Sequence, residues 1–144
     1  MNKLEELIEE WKKDSVIDRT EPGHALLEIP KLHSKYLTIL SFYRQGIRKA
    51  DSKYAALKRL KWEYYTGKMD AETLAEHGWE QFPYTLKSEI STYLEGDPDL
   101  IKILDAKAFY QEIVSCCESI LKELHSRTFQ LKEFITWEKF IQGA

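Results

Sequence analysis

Two apolar seams, each repeating at alternating steps of four and three, constrain this chain more than any other feature. The first runs Ile29, His33, Tyr36, Leu40, Tyr43, Ile47, Ala50, Tyr54, Leu57, Lys61 and Tyr64. The second runs Ile103, Lys107, Tyr110, Val114, Cys117, Leu121, Leu124, Thr128, Leu131 and Ile135. Such spacing keeps one face of a continuous helix turned toward a neighbour. Breakers are scarce, the whole chain holding 6 Gly and 4 Pro, which favours long helices over a turn-rich β fold. The reading is an all-α fold of two long helices plus short helices, in an elongated subunit.

Proline is tolerated most easily in the first turn of a helix, so the first long helix is expected to start near Ile29 or Pro30, with His24 to Glu28 as a preceding turn or kinked extension. It should end near Thr66 with Gly67 just beyond, about 37 residues and roughly 55 Å at the α-helical rise. Gly46 is its one weak point, at about 1 kcal/mol relative to Ala. Asp97-Pro98, a capping carboxylate followed by proline at the first helical position, starts the second long helix. No breaker precedes Gly143, so that helix should run about 44 residues, roughly 65 Å.

Three shorter elements complete the reading. Met1 to Asp14 places Leu4, Leu7, Ile8 and Trp11 on one face and acids on the other, an amphipathic helix too short to stand undocked. Ser15 to Gly23 reads as a connector. Asp70 can cap a helix over Ala71 to His77 closed by Gly78, and Thr85 to Leu94 reads as another ending at Gly96, within a linker over 68–96 that joins two long arms. Residues 1–96 thus form an N-terminal helical region with a basic helix and a linker, and 97–144 a C-terminal helix for self-assembly.

Charge is unevenly distributed. Between Arg44 and Trp62 stand Arg44, Arg48, Lys49, Lys53, Lys58, Arg59 and Lys61 against Asp51 alone, a net of +6 in a chain whose total is −3. Such segregation favours a polyanionic partner. Lys58, Lys61, Trp62 and Tyr65 fall at i, i+3, i+4 and i+7, so ammonium groups and rings share one side of the helix. Cations hold phosphates and rings stack on unpaired bases, the chemistry of a single-strand surface. The same pattern also fits Trp62 and Tyr65 as core residues beside a solvated charged face.

The last third of the second helix carries a surplus of apolar side chains. Phe129, Leu131, Phe134, Ile135, Trp137, Phe140 and Ile141 fall on several faces, more than a free tail can expose to water. Self-association through this end and folding back onto the same subunit both account for it.

Other chemistries have no signature. His24, His33, His77 and His125 show no ligand spacing, and the adjacent Cys116 and Cys117 suit neither a metal nor a redox pair, so no cofactor or metal is expected. Phosphate-binding glycine loops and nucleophile elbows are absent, and the expectation is a non-enzyme. No apolar run reaches a membrane span and no signal peptide opens the chain, which reads as soluble and intracellular.

Leu4-Glu5-Glu6-Leu7, Lys12-Lys13-Asp14 and Ile17-Asp18, with Arg59-Leu60-Lys61-Trp62-Glu63-Tyr64-Tyr65-Thr66-Gly67, resemble the UvsY recombination mediator proteins of tailed phages. The resemblance implies an accessory factor of homologous recombination that binds single-stranded DNA and helps a RecA-like recombinase of the UvsX type replace the single-strand-binding protein. It further implies a ring-like homo-oligomer of about six or seven subunits, assembled through the C-terminal region, in the cytoplasm of an infected bacterial host. The family's Lys-x-Arg pair for single-stranded DNA falls on Arg59 and Lys61 with the residue types exchanged, which keeps charge but alters phosphate geometry. The expected DNA-binding set is Arg59 and Lys61, with Lys58 and Lys53 in support and Trp62 or Tyr65 stacking on bases. A coiled-coil scaffold that binds no nucleic acid is the alternative.

Overall fold

The computed structural model describes residues 1–83 and 86–143. Its helices are α1 (Lys3–Asp14), α2 (Pro22–Tyr65), α3 (Ala71–His77), α4 (Ile90–Glu95) and α5 (Pro98–Ile141), with a 3-10 turn at Lys87–Glu89 before α4. The described residues contain no strand, so the fold is all-α, with two helices of 44 residues each.

The long helices follow their seams. In the first, every position is buried or half-buried except His33, which faces solvent. In the second, all ten positions are buried or half-buried. α5 starts and ends as the sequence predicts, but α2 begins at Pro22, eight residues before Pro30. Pro22 occupies the first helical position, where its missing N–H costs nothing, and half-buried Leu26 extends the seam back from Ile29. Pro30 lies inside the helix and removes one backbone hydrogen bond, a local loss that this continued burial outweighs.

The short elements are shaped by their caps. The Asn2 side chain accepts from the Glu5 N–H at 2.9 Å while the Glu5 carboxylate accepts from the Asn2 N–H at 3.2 Å, a reciprocal cap that starts α1. Asp70 accepts from the Thr73 N–H at 2.7 Å and Gly78 closes α3 in the left-handed region at φ 68°. The helix expected over Thr85 to Leu94 is shorter, a 3-10 turn followed by α4, and its expected first residue lies outside the described residues.

The chain divides into two compact units. One comprises Met1–Gln45 and Tyr110–Ala144. Here α1 docks through Leu7 and Trp11: the Trp11 ring meets Tyr36 edge-on at 5.5 Å, and the Arg127 guanidinium stands 5.4 Å from its centroid. Tyr36 is completely buried and donates its hydroxyl to Asp14 at 2.7 Å, and Lys35 pairs with Asp14 and Glu10. Around them Leu40, Ile113, Cys117, Ile120, Leu124 and Leu131 form the core, and burial raises the Cys117 thiol to about 11, with Cys116 and Glu118 contributing. Leu131, grouped in the sequence reading with the self-association surface, belongs to this core because it lies on the seam.

The second unit is Gly46–Phe109, holding the end of α2, α3, α4 and the start of α5. Its apolar core is Ala50, Met69, Leu74 and Leu100. Residues 68–83, read from sequence as linker, pack through Met69 and Leu74 and through a cluster in which Trp79 and Phe82 meet Tyr64 at 5.1 and 5.4 Å. Replacing Leu124 by Ala removes a fully buried side chain from the first unit, and urea unfolding should register a loss of about 2–5 kcal/mol.

Candidate functional site

The four co-facial residues read from the sequence separate into an outer and an inner pair. Lys58 and Trp62, one turn apart, remain on the surface, with Trp62 41% exposed and the Lys58 Nζ lying 5.7 Å from the Tyr54 ring centroid. Lys61 and Tyr65, also one turn apart, point into the second unit. Lys61 lies on the seam and Tyr65 beside it, whereas Lys58 and Trp62 are turned further round the helix toward solvent.

Arg59 and Lys61, the two residues aligned with the family's basic pair, occupy opposite environments. The Arg59 side chain is 85% exposed, and its Nε is 3.8 Å from the Glu63 carboxylate, too far for a hydrogen bond. A surface pair of this kind contributes little and leaves the guanidinium available. The Lys61 side chain is 8% exposed, with Nζ 3.1 Å from Asp97 Oδ2, 2.8 Å from Asp99 Oδ2 and 4.4 Å from the Trp79 ring centroid. Two carboxylates and one ring face therefore stand opposite the three donors of the ammonium. Lys61, expected from its charge to face a phosphate, is instead held between two carboxylates and a ring, because its seam position directs the side chain inward.

Asp97 is the centre of this network. Oδ1 accepts from the N–H groups of Asp99 and Leu100 at 2.9 and 3.0 Å, capping α5, while Oδ2 accepts from the Tyr65 hydroxyl at 2.6 Å and from Lys61. Burial alone would raise the Asp97 pKa, but the Tyr65 hydroxyl, the Leu100 N–H and Lys61 outweigh it and hold the carboxyl below its ordinary 3.8. Burial likewise would lower the Lys61 pKa, but hydrogen bonds to Asp99 and Asp97 outweigh it and keep the ammonium above 10.5. Both groups stay charged across the physiological range. Burial and the bond to Asp97 raise the Tyr65 phenol, whose ring stacks on Tyr93 at 5.6 Å and meets Phe82 edge-on at 4.9 Å. Tyr65 is thus committed to the aromatic cluster and is not a free stacking surface.

The surface contains one cation that the sequence reading missed. Gly67 takes φ 74°, the Lys68 N–H returns to the Glu63 carbonyl at 2.9 Å, and the Lys68 Nζ comes 4.8 Å from the Trp62 ring centroid. The turn glycine was visible in the sequence, but its consequence, a lysine folded back beside Trp62, needs the geometry of the helix end. Lys58, Arg59, Trp62 and Lys68 therefore form an exposed cluster, and Lys53, five residues before Lys58, is exposed further back along α2. Among the described residues no group of His, Cys, Asp and Glu is placed to hold a metal ion, and no helix is long and apolar enough to cross a membrane.

A family model described as recombination, repair and ssDNA binding protein UvsY matches residues 10–144. The recombination protein uvsY of Enterobacteria phage T4 is 26% identical over 141 residues, covering 98% of each chain. A crystal structure of the bacteriophage T4 recombination mediator protein UvsY superposes with a TM-score of 0.84 at 25% identity, covering 99% of each chain. The same protein in another lattice gives 0.81 at 25% identity, covering 94% of this chain and 98% of that one.

The Asp97 network has a definite pH signature. Its depressed pKa means that this carboxylate's stabilisation is complete above 3.8 and disappears as pH falls through the lower folded value. Asp97→Asn should therefore flatten the acid limb of a stability-versus-pH profile measured by chemical denaturation. Asp97→Ala, which leaves Lys61 with Asp99 alone and removes the cap, should cost on the order of 3–5 kcal/mol at neutral pH.

Proposed function

The chain belongs to the UvsY family of recombination, repair and ssDNA-binding proteins, and we propose that it is a recombination mediator that grips single-stranded DNA through the exposed cations at the end of α2. In this reading it promotes loading of a RecA-like recombinase of the UvsX type in place of the single-strand-binding protein, without enzymatic turnover, in the cytoplasm of an infected bacterial cell. The observation that supports the site assignment is the exposed cluster of Lys58, Arg59, Trp62 and Lys68, with exposed Lys53 further back along the same helix. Binding to phosphates releases condensed counterions, which supplies affinity without dependence on base sequence. An indole beside these cations adds sequence-tolerant stacking.

A mediator must hold DNA and still yield it. A few phosphate contacts per subunit make each grip weak, and copies linked in one assembly raise the total through effective concentration. Subunits acting in series can then release the strand one subunit at a time as the recombinase advances.

The apolar end of α5 supports the assembly. Phe129, Trp137, Phe140 and Ile141 are 67%, 57%, 72% and 59% exposed, and the Trp137 and Phe140 rings stack at 5.8 Å. Phe134 and Ile135 are half-buried beside them and Leu131 is buried, so in this reading the first six rather than Leu131 offer the surface for self-association. A closed ring of about six or seven subunits would display the same number of basic clusters.

Arg59→Ala with Lys58→Ala should weaken binding of oligo-dT in a fluorescence anisotropy titration and flatten its salt dependence by about 0.7 in slope for each phosphate no longer neutralised. An unchanged slope would remove these residues from the site. Absence of length-dependent oligo-dT binding by the unaltered chain would instead favour the scaffold. Trp137→Glu with Phe140→Glu should lower the mass seen by light scattering while leaving helicity intact, because both side chains are exposed within the subunit.

A further inference from the structure

We propose that Lys61 is a positioning residue of the DNA-binding surface, fastening the last turns of α2 to the first turn of α5 and so presenting Lys58, Arg59, Trp62 and Lys68 without itself touching DNA. The inference rests on the single-stranded DNA reading above and deepens it. It gives the second basic position of the family motif a different task from the first.

Three observations carry it. The first is saturation: Asp97, Asp99 and the Trp79 face surround the ammonium, and the Lys61 side chain is 8% exposed. A phosphate taking hold of this group would have to displace a carboxylate already in place. The second is local charge. Lys61 with Asp97 and Asp99 sums to −1, and Asp99, 59% exposed, is the member that an approaching phosphate would meet. The locality of Lys61 is therefore repulsive to DNA, although its formal charge is attractive.

The third observation is connectivity. Lys61 joins three segments distant in sequence: α2, the α3–α4 segment through Trp79, and the start of α5 through Asp97 and Asp99. Trp62 is its immediate neighbour and Arg59 lies two residues before it, so loss of this fastening changes the turns that display both. Removing one partner of a buried ion pair leaves the other charged and uncompensated, which costs far more than the pair contributes to net stability. Lys61 can thus be essential for DNA binding while making no contact with the nucleic acid.

The test compares salt slopes of oligo-dT binding to the full chain. Lys61→Met leaves Asp97 unpaired and should weaken binding several-fold while the protein remains folded by circular dichroism. Lys61→Met with Asp97→Asn removes one charge of each sign, keeps an amide able to cap α5 and places a thioether near Trp79. It should recover most of the affinity with the wild-type slope. A slope shallower by about 0.7 in that double variant would make Lys61 a phosphate ligand and overturn the proposal.

Two further variants complete the comparison. Asp99→Asn alters only an exposed side chain: an unchanged slope with slightly tighter binding supports positioning, and a slope steeper by about 0.7 shows Lys61 released to DNA and overturns it. Stability lost in Lys61→Met with affinity intact would also overturn it, because the role would then be structural only. Arg59→Ala serves as the separate control. If it leaves affinity and slope unchanged, the site reading fails independently of Lys61.

Discussion

A single buried ammonium determines how the second unit of this protein is built. Lys61 falls on an apolar seam, where a charge is costly, and the fold accommodates it by placing Asp97, Asp99 and the Trp79 ring around it. Asp97 in turn caps α5 and receives the Tyr65 hydroxyl, so one carboxylate closes the α2 network and opens the following long helix. Each partner restricts the others, and no buried side-chain polar atom among the described residues lacks a hydrogen-bond partner.

Helix geometry then explains how two basic residues of one motif come to differ. Successive residues turn by about 100°, so Arg59 and Lys61 project from opposite sides of α2. One reaches solvent and the other the seam. The charge density that attracts a polyanion is therefore carried by fewer side chains than the composition of the stretch suggests. Lys68 is brought back by the turn at Gly67 to lie beside Trp62 on the exposed side.

Much of the fold was legible in the sequence because helical periodicity is a local property. The 4-3 seams, the Asp97-Pro98 start and the Asp70 to Gly78 bounds of α3 all depend on residues within a few turns of one another. The start of α2 was misplaced because Pro30 is a strong local signal, and only burial of the preceding turn shows that the helix continues back to Pro22. The site was legible in charge but not in exposure. Pairing of Lys61 with Asp97 spans 36 positions, and stacking of Tyr65 on Tyr93 spans 28, so neither leaves a mark in local spacing. The seam itself held the clue: a lysine at a core position needs an acid, and the nearest cap carboxylate across the fold supplies it.

These features give the mediator reading a physical form, in which a rigid interior network holds a weakly gripping exterior and copies of the chain multiply that grip. Residue-resolved acetylation of lysines in the unaltered, folded chain, with and without oligo-dT, tests this most directly. The account predicts that Lys53, Lys58 and Lys68 react in the free protein and are shielded by DNA, while Lys61 stays unreactive in both states. Ready modification of Lys61 in the free protein, suppressed when oligo-dT is added, would contradict it.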